Sequence, residues 1–162
     1  MNDEIEAWSM DDVVVNTLEL VNGFRLLRPH TWETVFAHAL REHFDTVVGW
    51  KKYGFNVFTT KGRASLPHSV QAKQRRDAAL HREHVVPIKV LVRGAMNAVS
   101  VDEMNMILDA YSLSIITADE HSALSHAYPH ARDEMPDGWK FGDDPLERYR
   151  RAGIEMHSPT GT

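Results

Sequence analysis

The chain has no cysteine among its 162 residues. That absence excludes a disulfide framework, a thiol nucleophile and any zinc ribbon built on thiolates, and it fits a reducing cytoplasm. Long apolar runs are missing too, so no membrane partner is expected. The first ten residues, MNDEIEAWSM, are acidic and lack both a basic start and an apolar stretch; no signal peptide is expected, and the protein reads as cytoplasmic.

What remains is ordinary for a globular chain, with 43% hydrophobic and 25% charged residues. The length suits a single domain over 1–162 that can bury a sizeable core. A net charge of −5 argues against a polyanionic partner, but its distribution qualifies the argument. Between Lys61 and Arg82 stand six cations against one acid, a window of +5 that leaves −10 for the rest. Such a run is commonly a solvated helix face; placed beside a reactive cluster it can hold a phosphate backbone.

Apolar spacing predicts a helix over 11–27 that stops near Asn22–Gly23, and a second, capped by Thr31, through about Val47 or Val48. The second would bury Val35, Phe36, Leu40, Phe44 and Val47. FNVFTT alternates as a short strand should, KGRASLPH reads as a turn-rich linker, and Ser69 can cap a basic helix reaching Leu80. HREHVVP reads as a strand, because its valines favour extended backbone and Pro87 ends regular pairing. IKVLVRGAMNAV reads as helical. Ser100 with Glu103 and Thr117 with Glu120 form capping boxes, on either side of a short strand, SLSII. A short helix is expected within PLERYRRAGI. The parts are then a helical N-terminal part (1–65), a core (69–130) and a C-terminal extension (131–162). The N-terminal part is a candidate homodimerisation or recognition element.

On the HREHVVP strand, alternation puts Arg82 and His84 on one face and His81 and Glu83 on the other. The residues EHVVP, followed about thirty positions later by IITADEHSAL, a strand passing into a helix that bears another histidine, resemble the HNH endonucleases of the ββα-metal nuclease superfamily. The likeness covers Leu80–Leu124 and is to members without a zinc ribbon. It implies an α+β, mainly helical fold with a ββα-metal, hairpin-plus-helix core. It also implies a metal-dependent endonuclease that hydrolyses phosphodiesters, with DNA, ahead of RNA, as the expected substrate. By the same resemblance His84 is the general base, and Glu83 and His121 are the metal ligands. Glu83 stands where the family has Asp or His. The family's base-orienting Asn has no clear equivalent, since Asn97 and Asn105 fall on predicted helices; either a backbone carbonyl fixes His84 instead, or the site is degenerate.

The chemistry accounts for these residue types. Phosphodiester hydrolysis needs a deprotonated water, positive charge on the scissile phosphate and a stabilised leaving oxygen. A neutral imidazole accepts a proton near pH 7. A mixed nitrogen and oxygen ligand set suits Mn²⁺, Ni²⁺ or Zn²⁺ better than Mg²⁺. Arg82 is a candidate for the scissile phosphate, and Lys73, Arg75 and Arg76 are candidates for nucleic-acid binding. His81 is read as scaffold, Glu120 as a capping acid, and His126 and His130 as loop residues. A zinc-protease reading of His81 and His84 fails, because that motif needs four-residue spacing on a helix. The competing readings are a catalytically silent nucleic-acid-binding or protein-interaction module and a metalloprotein acting on a small phosphoester.

Overall fold

In the computed structural model, which describes residues 7–26, 33–75 and 78–157, the apolar stripe of the first helix is buried through Val13, Val14 and Val21. This helix, α1 (Met10–Leu26), does not stop at Gly23. Phe24 stacks on Phe36 with ring centroids 4.3 Å apart, and Arg25 donates to the carbonyls of Met96 and Ala98. These bonds outweigh the ~1 kcal/mol that a helical glycine costs.

Thr31, the expected cap of the next helix, lies outside the described residues. The helix itself is α2 (Glu33–His43), and it passes into a π-helical turn (Phe44–Val48) and then α3 (Gly49–Tyr53) without a break in backbone direction. Gly49 keeps helical torsions; the stop comes at Gly54, with φ +72 and its N–H on Trp50 O at 2.7 Å. Phe36, Leu40 and Phe44 are buried as expected, whereas Val35 is 52% exposed. The extra residue in the π turn shifts the helical phase, which buries Val48 and turns Asp45 inward.

Residues 55–60 do not form the expected strand. Asn56 Oδ1 accepts the Phe58 N–H and Thr59 Oγ1 accepts the Gly62 N–H, and these local bonds start α4 (Thr60–Ser65) inside the expected linker. Ser69 caps α5 (Val70–Gln74), a much shorter helix than expected.

The strands are β1 (Leu80–His84) and β2 (Leu113–Thr117), antiparallel, with Leu80 opposite Thr117 and His84 opposite Leu113. Two helices connect them, α6 (Ile88–Asn97) and α7 (Val101–Ala110). Ser100 caps α7, but Glu103 reaches back to Val99 N rather than to Ser100. The Thr117–Glu120 capping box is complete and starts α8 (Ala118–His126) at the end of β2. The last helix is α9 (Glu147–Arg151). The fold is thus α+β and mostly helical. Among the described residues no helix is long and apolar enough to cross a membrane.

All five residues of β2 are buried. Leu113 and Ile115 join the large helical core, with Phe44, Leu91 and Tyr111. Ile116 belongs to a smaller cluster with Val85, Leu124, Tyr149 and Ile154. The sheet therefore separates two apolar layers, as period-two alternation requires.

One buried titratable group lies outside both clusters' chemistry. His43 Nε2 is 2.8 Å from Thr17 Oγ1. That hydroxyl already donates its single proton to Val13 O at 2.6 Å, so His43 Nε2 is the donor of the pair. Burial lowers its pKa from 6.5 to about 4. The unfolded chain then binds more protons between those values, so the stability His43 contributes is present above pH 6.5 and lost as pH falls toward 4. Urea unfolding of wild type and His43→Leu at pH 7 and pH 4.5 should show the wild type losing more stability, by up to about 3 kcal/mol. Equal losses would exclude His43 as the cause.

Candidate active site

Residues directly opposed in an antiparallel pair share a sheet face. Arg82 and His84 oppose Ile115 and Leu113 and so point to the helical core. His81 and Glu83 oppose Ile116 and Ser114 and point to α8 and α9. The alternation read from the sequence is the arrangement observed.

On the first face the organising group is Asp45, carried inward by the π turn, its side chain only 5% exposed. Its Oδ1 lies 2.8 Å from His84 Nε2 and 3.0 Å from the Tyr111 hydroxyl, and Arg82 Nη2 is 3.6 Å from Oδ2. Burial pushes the Asp45 carboxyl upward, but the hydrogen bond and charge of His84, the Arg82 guanidinium and the Tyr111 hydroxyl outweigh it and hold the carboxyl below the ordinary value. The Tyr111 hydroxyl is pushed well up, by burial first and then by the neighbouring Asp45 charge. An ionised carboxylate only accepts, so His84 Nε2 carries a proton and donates it to Asp45 Oδ1. Asp45 therefore takes the orienting role that the sequence reading left to a backbone carbonyl.

On the second face, Glu83 receives a hydrogen bond on Oε1 from Arg148 Nη2. Its Oε2 is 3.5 Å from His121 Nε2. His121 owes its place to the capping box, which starts α8 directly after β2. The His81 ring stacks on the His121 ring at 4.9 Å, a scaffold role. Glu120 is more than a cap: buried, it accepts from Thr117 N and also from Ser69 Oγ at 2.6 Å.

The two faces meet around the end of β1, where Glu83, His84 and His121 line one cleft of about 440 Å³. Arg41, Lys89 and Arg132 line it as well, with Asp133, which pairs with Lys89 at 2.8 Å. Glu83 Oε2 and His121 Nε2, 3.5 Å apart, are one carboxylate and one imidazole donor, a pair whose chemistry fits Mn²⁺, Ni²⁺ or Zn²⁺ better than Mg²⁺. Among the described residues no group of three or more His, Cys, Asp or Glu side chains is placed to hold a metal.

The other expected residues lie elsewhere. Arg82 is not a cleft residue; it faces Asp45 and stacks over the Phe58 ring at 4.3 Å. Lys73 and Arg75 sit at the end of α5, and Arg75 pairs with Asp119 at 2.8 Å. Arg76 lies outside the described residues. Sequence reasoning missed Asp45, Tyr111, Arg148 and the cleft cations. A lone acid in the apolar run FDTVVGW was the available signal for Asp45, whereas nothing in ERYRR separates Arg148 from its neighbours.

Neither a family model, a curated protein nor a solved structure matches this chain.

The Asp45 network predicts an asymmetry. Asp45→Ala leaves His84 and Tyr111 without their acceptor and Arg82 without its counter-charge, and should cost ~3 kcal/mol in urea unfolding. Tyr111→Phe removes one donor and should cost ~1 kcal/mol. An Asp45→Ala loss no larger than that of Tyr111→Phe would show that the carboxylate does not organise the site.

Proposed function

We propose that the protein is a metal-dependent HNH-type endonuclease that hydrolyses phosphodiester bonds, with DNA as its substrate. One observation carries the reading: an Asp45-oriented histidine and a Glu83–His121 pair open on the same cation-lined cleft. Two antiparallel strands and the helix that follows the second bear these residues, which supports the reading.

In this reading His84 Nδ1 takes a proton from water while the oxygen bonds to phosphorus and the bond to the leaving oxygen breaks. Asp45 fixes the ring and stabilises the imidazolium that forms, as a buried carboxylate does for other catalytic histidines. Glu83 Oε2 and His121 Nε2 would hold a divalent ion, which supplies positive charge to the phosphate and the leaving oxygen. Arg41 and Arg132, both exposed, bring further positive charge to the cleft and suit a polyanion better than a small neutral substrate. Arg82 supports Asp45, which replaces the phosphate role expected for it. The cleft cations likewise displace Lys73 and Arg75 as first candidates for backbone contact.

A silent nucleic-acid-binding module on the same scaffold is the second reading. It is favoured by the Arg148 bond, which already occupies one Glu83 oxygen.

Cleavage of plasmid DNA in Mn²⁺ separates the two. His84→Ala should lower the rate by at least ~10²-fold with an unchanged circular dichroism spectrum. Arg41→Ala combined with Arg132→Ala should raise KM and flatten the salt dependence with kcat retained. Cleavage by His84→Ala at the wild-type rate would end the proposal.

A further inference from the structure

The side chain of Arg148 is 1% exposed, yet two of its three nitrogens, Nε and Nη1, have no hydrogen-bond partner among the described residues. Only Nη2 is used, on Glu83 Oε1. Beyond Glu83, the Tyr149 ring lies 5.8 Å from the guanidinium carbon and the Asp133 carboxylate acts on Arg148 only through its charge. Taking a guanidinium out of water costs several kcal/mol, and apolar residues of similar volume usually serve a scaffold as well or better. Packing alone therefore does not account for an arginine at this position.

Its surroundings show what it acts on. α9 is seated on the sheet by Tyr149, whose hydroxyl lies 2.8 Å from Ser114 Oγ on β2, and by the apolar cluster of Ile116, Leu124, Tyr149 and Ile154. The strand residue opposite Ser114 is Glu83. The same helix thus presses one residue onto the sheet and sends its neighbour to the carboxylate beside His121.

We propose that Arg148 is a positioning residue of the nuclease site: it binds Glu83 Oε1, reserves Oε2 for the cation shared with His121, and so makes the C-terminal segment part of the site. The inference rests on the function proposed above. Arg148 then plays two opposed parts. Its charge competes with a dication for the Glu83 carboxylate and weakens metal binding, while its bond fixes the carboxylate where the reaction needs it.

Those parts make removal of Arg148 move affinity and rate in opposite directions, which loss of a scaffold residue would not do. Mn²⁺ binding is read by electron paramagnetic resonance titration, and plasmid cleavage gives kcat. Arg148→Met should bind Mn²⁺ about tenfold more tightly and show kcat lower by about tenfold or more. Tyr149→Phe, which loses only the Ser114 bond, should lower Tm and leave both quantities unchanged. If Arg148→Met does not fold, Arg148→Lys decides: it keeps the charge and loses the planar fork. It should hold the Mn²⁺ Kd within about threefold while kcat falls about tenfold, and an unchanged kcat would overturn the proposal. Equal or weaker Mn²⁺ binding by Arg148→Met, or the same shifts in Tyr149→Phe, would also overturn it. No Mn²⁺ binding by the wild type would remove the metal reading itself. Tight wild-type binding with unmoved variants would remove the Arg148 role alone.

Discussion

A buried carboxylate that must not be left unpaired fixes the centre of this molecule. Asp45 is withdrawn from water by the helices around it, and its three partners arrive from two places: the Arg82 charge and the His84 donor on β1, and the Tyr111 donor at the end of α7. An uncompensated charge there would cost more than most single contacts contribute, so the parts that supply compensation depend on one another. Gly49 is one of them. A Cβ at that position would stand 3.0 Å from the Tyr111 hydroxyl, so a side chain there would crowd the phenol that Asp45 needs. The π turn is another, because a regular helix through 44–48 would point residue 45 elsewhere.

The sheet converts that centre into a site with two sides. Every residue of β2 is buried, so slipping β1 by one position would send its polar side chains to the wrong layers. The register that results gives the helical core the imidazole and its acceptor, and gives α8 and α9 the carboxylate. The two chemistries meet only around the end of β1, where alternation no longer separates them. Adjacent residues on a strand can serve one reaction under that condition, which an uninterrupted sheet interior would not provide.

Local signals in the sequence were readable and long-range ones were not. The faces of β1 follow from period two, and Ser69, Ser100 and Thr117 cap helices as their side-chain chemistry predicts. Helix ends were misread where partners remote in sequence intervene: Gly23 is carried through by Phe24 and Arg25, and Gly49 by the continuity of the π turn. FNVFTT has a strand's alternation, but Asn56 and Thr59 bond to nearby backbone N–H groups first. His84 and Glu83 were legible because their strand context is local. Their partners were not, since Asp45 lies 39 positions before His84 and Arg148 lies 65 after Glu83.

The geometry around the glutamate at 83 uses the full length of its side chain. An aspartate, one methylene shorter, would have less reach from the strand toward both Arg148 and His121. Glu83 spans them, with one oxygen given to each. The guanidinium leaves the carboxylate with little net charge, so any cation added beside His121 leaves the pocket net positive. Arg41 and Arg132 add to that sign, while Lys89 is offset by Asp133. Screening confines what a phosphate feels to roughly 8–10 Å, so the groups in the cleft decide the local field, and the −5 of the whole chain does not oppose a polyanion at this one place.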